Sequence, residues 1–231
     1  MAMIQHSMTI VKEGVAYVNH NQTPVIAMDQ PLFAIAKQIQ WEKADLYGEE
    51  KYVVMMGGMH LEMASLKMVG HRLDKSGWDS ALVQADITTR GRADGILKAA
   101  HITRSHYAHQ VGACALYILQ RKAYKECTAG HESSNIAFET WVQEKSDDHL
   151  HFQFWATALE LELTILELVR SIRGGNFHLF VEAFCKLAPW MFALDLTNYS
   201  RWLPVDIRDL LMLKEMHPSV FAEFVRGKFV V

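Results

Sequence analysis

The sequence predicts a helix-rich α/β fold, and two short stretches carry that reading. Residues 24–28, Pro-Val-Ile-Ala-Met, read as a strand that ends in Asp29 and turns into a helix opened by Pro31. Residues 52–56, Tyr-Val-Val-Met-Met, read as a second strand that runs through Gly57-Gly58 directly into an amphipathic helix. Almost everything after Trp78 follows helical spacing, so the strands form a small core with a large helical region attached. The expected division is an α/β core over residues 1–79, with strands near 8–18, 25–29 and 52–56. A helical region over residues 80–231, leading into a further strand, completes the chain.

Taken in order, residues 8–11 and 15–18 are short β-prone runs on either side of the turn-prone Lys12-Glu13-Gly14, which predicts a hairpin beside the residue-25 strand. Leu32, Ile35, Ala36 and Ile39 give one apolar helical face, with Gly48 as a stop. Leu61, Ala64 and Met68 mark the inner face of the helix after Gly58. Ser76-Gly77 ends that helix, and Trp78 plugs the connection. Residues 80–89 are open between helix and strand. A long helical tract then runs to Tyr124 with Gly112 inside it, and residues 130–135 read as a loop. Phe152, Trp155, Leu159, Leu163, Leu166 and Val169 define another long helix, over about residues 148–172, closed by Gly174-Gly175. Residues 177–192 are apolar nearly all round, as a buried helix is. Residues 198–213 follow with a restart near Pro204. A last helix over 218–226 is stopped by Gly227, and residues 228–231 read as the start of a strand.

The 231 residues, half of them apolar, are enough for one good core or a core with a helical appendage. Three scattered cysteines, Cys114, Cys127 and Cys185, make no disulfide framework, which points to a reducing compartment. No basic leader, long apolar leader segment or membrane-length apolar run is evident, so the expected location is intracellular, nuclear and cytoplasmic being equally open, with no membrane partner. A net charge of −3 argues against a general polyanion binder, but charge is unevenly spread. Arg90, Arg92, Lys98, Arg104, Arg121, Lys122 and Lys125 face one acid, Asp94, whereas residues 132–167 are acidic apart from Lys145. Such blocks are either a basic surface for an acidic partner or two helical segments that neutralise each other.

Asp29 is the residue with most chemistry in it. A carboxylate at the carboxyl end of a strand is placed to hold a divalent cation, and it is equally placed to cap the helix at Pro31. If the two strands are parallel neighbours, His60 and Glu62 converge on it, giving a metal set of Asp29, His60 and Glu62. For Mg2+, which prefers oxygen, that set is thin. The plain alternative is a polar first helical turn. His106 and His109 can share a helical face, but no zinc spacing supports them. Cys127 and His131 lack a third partner, His149 and His151 do not share a face, and no phosphate-cradling loop or nucleophile elbow occurs.

Several longer stretches resemble a family. VIAMDQPLFAIAKQIQW from Val25, VVMMGGMHLEMASLKMVG from Val53, LKAAHITRSHYAHQ from Leu97, PWMFALDLTNYSRWLPVDIRDL from Pro189 and HPSVFAEFVRGKFVV from His217 are similar to largely uncharacterised transposon-derived proteins of invertebrate and fish genomes. The resemblance spans nearly the whole chain and implies a small RNase H-like sheet with a large helical insertion. In such transposase cores a first aspartate, a second aspartate after another strand, and a third acid on a later helix hold the metal ions. Asp29 matches the first. Related sequences carry Gly-Asp-Trp-His where this chain has Gly57-Gly58-Met59-His60, so Gly58 stands in place of the second acid. The third would fall beyond Val231, so the C-terminal part of that core is expected to be missing here.

Metal-assisted phosphodiester cleavage on DNA needs several carboxylates around its cations, and one clear candidate remains. The expected function is therefore a transposase-derived nucleic-acid-processing core, catalytically inactive or incomplete, with Asp29 as residual catalytic and metal ligand. The basic residues 90–125 would be its DNA-contacting surface. The alternative is a non-enzymatic α-rich interaction or scaffold protein with a protein partner or self-association. A hydrolase using Asp29, His60 and Glu62 is a third reading.

Overall fold

The structure is a computed structural model that describes residues 1–129 and 136–229. The chain runs through α1 (Ala2–Val18), β1 (Val25–Met28), α2 (Gln30–Glu42), α3 (Ala44–Tyr47), β2 (Val53–Met56) and α4 (Gly58–Leu73). It continues as α5 (Trp78–Gln84), α6 (Arg90–Leu97), α7 (Ile102–Thr128) and α8 (Phe138–Asp148). The remainder is α9 (Leu150–Gly174), α10 (Phe177–Ala193), α11 (Thr197–Met216), α12 (Pro218–Glu223) and a π-helical turn, Phe224–Lys228. Among the described residues the fold is thus mostly helical, with a single two-stranded sheet.

The chain divides into two compact units, one of Met1–Ala64 with Glu167–Val231 and the other of Ser65–Leu166. A division after residue 79 was the expectation from sequence; the unit boundaries instead fall inside α4 and inside α9.

In the first unit, β1 and β2 are parallel neighbours in register, Val25 opposite Val53 and Met28 opposite Met56, with α2 in the crossover between them. All four residues of β2 are buried, whereas β1 is only half-buried. The other edge of β2 meets side chains instead of a strand: Gln40 donates to the Tyr52 carbonyl at 3.1 Å, and Met56 N–H donates to Asp206 Oδ2 at 3.1 Å. Phe33, Ile39, Met56, Leu61, Phe180 and Phe184 form the centre of this unit's core.

Four expectations are corrected, and one open stretch, residues 80–89, is resolved. The hairpin over residues 8–18 is instead the helix α1, because Ile4 and Met8 lie one turn apart on a buried face and that burial outweighs the turn signal at Gly14, which points into open space. Residues 80–89 give α5 and then a turn in which Asp86 takes a positive φ of 55°. The single long tract before Tyr124 is broken into α6 and α7, with Ala99 at φ 51° between them. The expected restart at Pro204 does not occur, since α11 continues through that proline. Lys228 belongs to the π-helical turn, where Gly227 has a φ of 90°, so no strand begins there. The expected loop at 130–135 and residues 230–231 lie outside the described residues. Within the described residues, no helix is long and apolar enough to cross a membrane.

Candidate functional site

The carboxyl ends of the two strands are tied together, since Gly57 N–H donates to the Met28 carbonyl at 2.7 Å. Asp29 follows Met28 and is half-buried. Its Oδ1 accepts from Leu32 N–H at 3.1 Å, and Pro31 occupies the first turn, so the carboxylate caps α2. Tyr199 of α11 is close enough to respond to it: burial raises the phenol above its ordinary value, and the Asp29 charge adds to that rise.

At the end of β2 the backbone enters α4 at Gly58. A Cβ built on Gly58 would meet Ile172 Cδ1 at 3.0 Å, so a side chain at position 58 requires Ile172 to give by a few tenths of an ångström. His60 is half-buried in the first turn of α4. Glu62 is buried, and burial raises its carboxyl while the positive charge of Arg173 pulls it the other way. The expected convergence of Asp29, His60 and Glu62 is not built as a metal centre: among the described residues no three His, Cys, Asp or Glu side chains gather to hold an ion. The donor set does not fit Mg2+, which needs a cluster of oxygen ligands, and Asp29 spends an oxygen on a helix cap.

A denser polar cluster lies along the open edge of β2. Lys37, 1 % exposed, reaches Glu49 at 2.5 Å and Asp209 at 2.8 Å, while Arg208 pairs with the same two carboxylates. Trp41 Nε1 donates to Glu49 at 2.8 Å, and the Glu49 carbonyl lies 2.8 Å from His217 Nε2. Burial alone would raise Glu49, but the hydrogen bonds from Lys37 and Trp41 and the Lys37 charge bring its carboxyl down to about 2. Together with Tyr52, Val54 and Met212, these groups apart from Trp41 line a cleft of about 250 Å³. Its charges are matched in pairs, which describes a fastening between α2, α11 and the strand more than a catalytic centre. Beside it Asp206 is completely buried and is pushed up to about 8 by desolvation, opposed by the Met56 hydrogen bond. Its Oδ1 has no hydrogen-bond partner among the described residues.

The second unit carries all seven basic residues singled out from sequence. Arg90 and Arg92 lie on α6, Lys98 follows it, and Arg104 opens α7; all four are exposed. Arg121, Lys122 and Lys125 stand on the far part of α7, about 26 Å away at the rise of an α-helix. They therefore form two groups instead of one band. Lys98 pairs with Asp94 at 2.7 Å, Arg90 shares a cleft with Asp74, Asp79 and Asp94, and Lys122 approaches Glu126 at 3.8 Å. Arg121 sits 3.8 Å over the Phe138 ring and donates to the Tyr117 hydroxyl. Lys125 and the rest of each group remain exposed cations.

The sequence reading weighed His109 only against zinc and gave no role to the buried Glu162, Asp206 and Lys37. His109 Nδ1 lies 3.1 Å from Glu162 Oε1, and Trp78 stacks on the imidazole at 4.7 Å between centroids. Burial raises Glu162, and the His109 hydrogen bond and charge oppose that rise. A signal existed: Glu162 interrupts the apolar stripe of Ala158, Leu159, Ile165 and Val169, just as Asp206 interrupts Leu203, Leu210 and Leu213 and Lys37 interrupts Phe33, Ala36 and Ile39. Cys127 is exposed; His131, its sequence neighbour four positions on, lies outside the described residues.

Comparison with known proteins finds one family model, described as Domain of unknown function (DUF8702), matching residues 1–137 and 118–231. No curated protein and no solved structure matches.

Proposed function

The chain belongs to the family of Domain of unknown function DUF8702, and we propose that it is a transposase-derived, RNase H-like core that no longer cleaves nucleic acid and acts by binding it. Three features support the descent: the resemblance of the stretches quoted above, the parallel β1–α2–β2 unit, and Asp29 at the carboxyl end of its first strand. One observation carries the loss of cleavage. Position 58, where the resemblance implies a second acid, is glycine against Ile172, with a Cβ-to-Cδ1 separation of 3.0 Å. An aspartate there would press on that side chain, which would have to shift by a few tenths of an ångström. With Asp29 capping α2 and glycine at position 58, the pair of carboxylates that the resemblance implies at the strand ends is not present.

Binding would fall to the exposed cations of the second unit, in the two groups near Arg104 and near Lys125. The test is a titration of fluorescent duplex DNA with the full chain across a salt series, together with a cleavage assay in Mg2+ and Mn2+. If one group of three cations is engaged, log affinity falls with log salt with a slope of roughly −3. Charge-reversal at Lys122 and Lys125 then flattens the slope. No affinity at low salt removes the nucleic-acid part of the reading, and metal-dependent cleavage abolished by Asp29→Asn removes the claim of lost activity.

A second reading, an interaction or scaffold protein, is favoured by α1, where Met3, Tyr17 and Val18 are 75 %, 87 % and 74 % exposed. It expects a self-associated species in light scattering and a melting temperature indifferent to Mg2+. A monodisperse monomer counts against it.

A further inference from the structure

We infer that α1 is the contact surface of a symmetric dimer, in which the helices of two copies of this chain pack antiparallel about a two-fold axis near Ile10. This rests on the self-association reading given above and names its surface and its partner. Met3, Ile10 and Tyr17 recur every seven residues, about two helical turns, so they stand in one stripe; they are 75 %, 53 % and 87 % exposed. Ile4 and Met8, on another face of α1, are already buried in its own unit. The stripe is left uncovered by the chain itself, and its spacing is that of a helix seam. None of the seven cations lies on α1, so the nucleic-acid reading stands or falls separately.

Shape and charge both make a second copy the occupant. A two-fold axis at Ile10 sets Met3 of one copy against Tyr17 of the other, and Ile10 against Ile10, so all three large side chains are covered at once. Between them on the same stripe lie Ser7 and Gly14, both exposed, whose small size leaves the holes that these knobs enter. A Cβ built on Gly14 meets nothing within 4 Å, so no contact in its own chain calls for a residue that weakens a helix; the close approach of a second helix does. On one flank of the stripe stand His6 and Glu13, seven residues apart and both exposed. The antiparallel arrangement lays this flank against itself, and each imidazole then falls within about one residue of the other copy's carboxylate, twice over. A parallel pair would lay it against Val11 and Val18 and leave both groups unanswered. Lys12 and Glu13 are the only formal charges in α1, so it lacks the basic face with which an interfacial helix meets anionic lipid.

The experiment is sedimentation velocity of the full chain from about 1 to about 200 µM, since a reversible dimer responds to protein concentration. The wild type should pass from monomer to dimer and stop there, because a two-fold contact closes on itself. Ile10→Asp, at an exposed position, places two carboxylates at the axis and should weaken the dimer by about tenfold or more while circular dichroism stays native. His6→Glu brings like charges together at two places and should weaken it by about threefold; adding Glu13→Lys should restore it. If Ile10→Asp loses its native circular dichroism, the two charge variants decide the matter. A wild type that stays monomeric throughout overturns the inference and the self-association reading together. Association of Ile10→Asp equal to that of the wild type, or growth of the wild type beyond the dimer, overturns the inference alone, since another surface then carries the contact. Failure of Glu13→Lys to rescue His6→Glu overturns the antiparallel pairing on which it stands.

Discussion

Asp206→Asn should make the protein more stable at neutral pH and remove much of its pH dependence. The Asp206 carboxyl is completely buried, and desolvation lifts it from an ordinary 3.8 to about 8. Folding therefore takes up a proton at any pH between those two values. Because the folded state binds more protons than the unfolded one there, stability falls as pH rises from about 4 to about 8 and levels off beyond. The slope is about 1.4 kcal/mol per pH unit, so between the ordinary value and neutrality the ceiling is about 4 kcal/mol. Asparagine keeps an oxygen to accept from Met56 N–H and cannot ionise. Its amide would be as poorly partnered as Oδ1 is now, a pH-independent penalty of about 1–3 kcal/mol that shifts the curve without tilting it. The assay is urea unfolding of both proteins from about pH 5 to about pH 8, with the difference in unfolding free energy plotted against pH. A difference that climbs toward alkaline pH in favour of Asp206→Asn supports the reasoning. Parallel curves would refute it, since Asp206 would then have the same proton affinity folded and unfolded.

Three further outcomes follow from particular contacts. Asp29→Ala should cost about 1 kcal/mol in thermal or urea unfolding and Asp29→Asn almost nothing, because asparagine caps α2 as well as aspartate does; equal large losses would mean that the negative charge itself is needed. Gly70→Ala should destabilise by about 1–3 kcal/mol, since its Cβ would run into the Leu97 backbone; a gain of about 1 kcal/mol, the ordinary helical preference for alanine, would show that α4 and α6 are not in that contact. Glu49 has its carboxyl held down at about 2, so its stabilisation is complete above its ordinary 4.5 and is lost as pH falls toward 2. Acid unfolding should therefore be less steep for Glu49→Gln than for the wild type, and identical acid limbs would count against the Lys37–Glu49–Arg208 pairing.

Some of this architecture was legible because it is written in neighbouring residues. The strand at β1, its end in Asp29 and the proline-opened α2 are all local signals, as are the Gly57-Gly58 entry to α4 and the glycine pair that closes α9. The parallel pairing was expected only as a condition and is present. The N-terminal helix was misread because Ile4, Met8, Val11 and Val15 satisfy helical spacing, while the short runs around Gly14 also satisfy strand-and-turn rules. Which pattern prevails depends on what covers Ile4 and Met8, and that lies elsewhere in the chain. The basic residues were legible as a block, but their separation into two groups follows from the length of α7 and from the break at Ala99.

The sequence by itself determined the helix-rich class, the strand–helix–strand order and the glycine at position 58, because each depends on residue type and short-range spacing. Only the tertiary structure decided that Asp29 accepts from Leu32 N–H as the cap of α2, that Glu62 is buried, that Ile172 packs against position 58, and that Asp206, 150 residues from Met56, completes the edge of β2. It also decided that Trp78, His109 and Glu162 meet. The physical reason is the same in each case: burial and the partners of a polar group are set by long-range packing, and a charge or a donor acquires its chemistry from what surrounds it, not from its place in the chain.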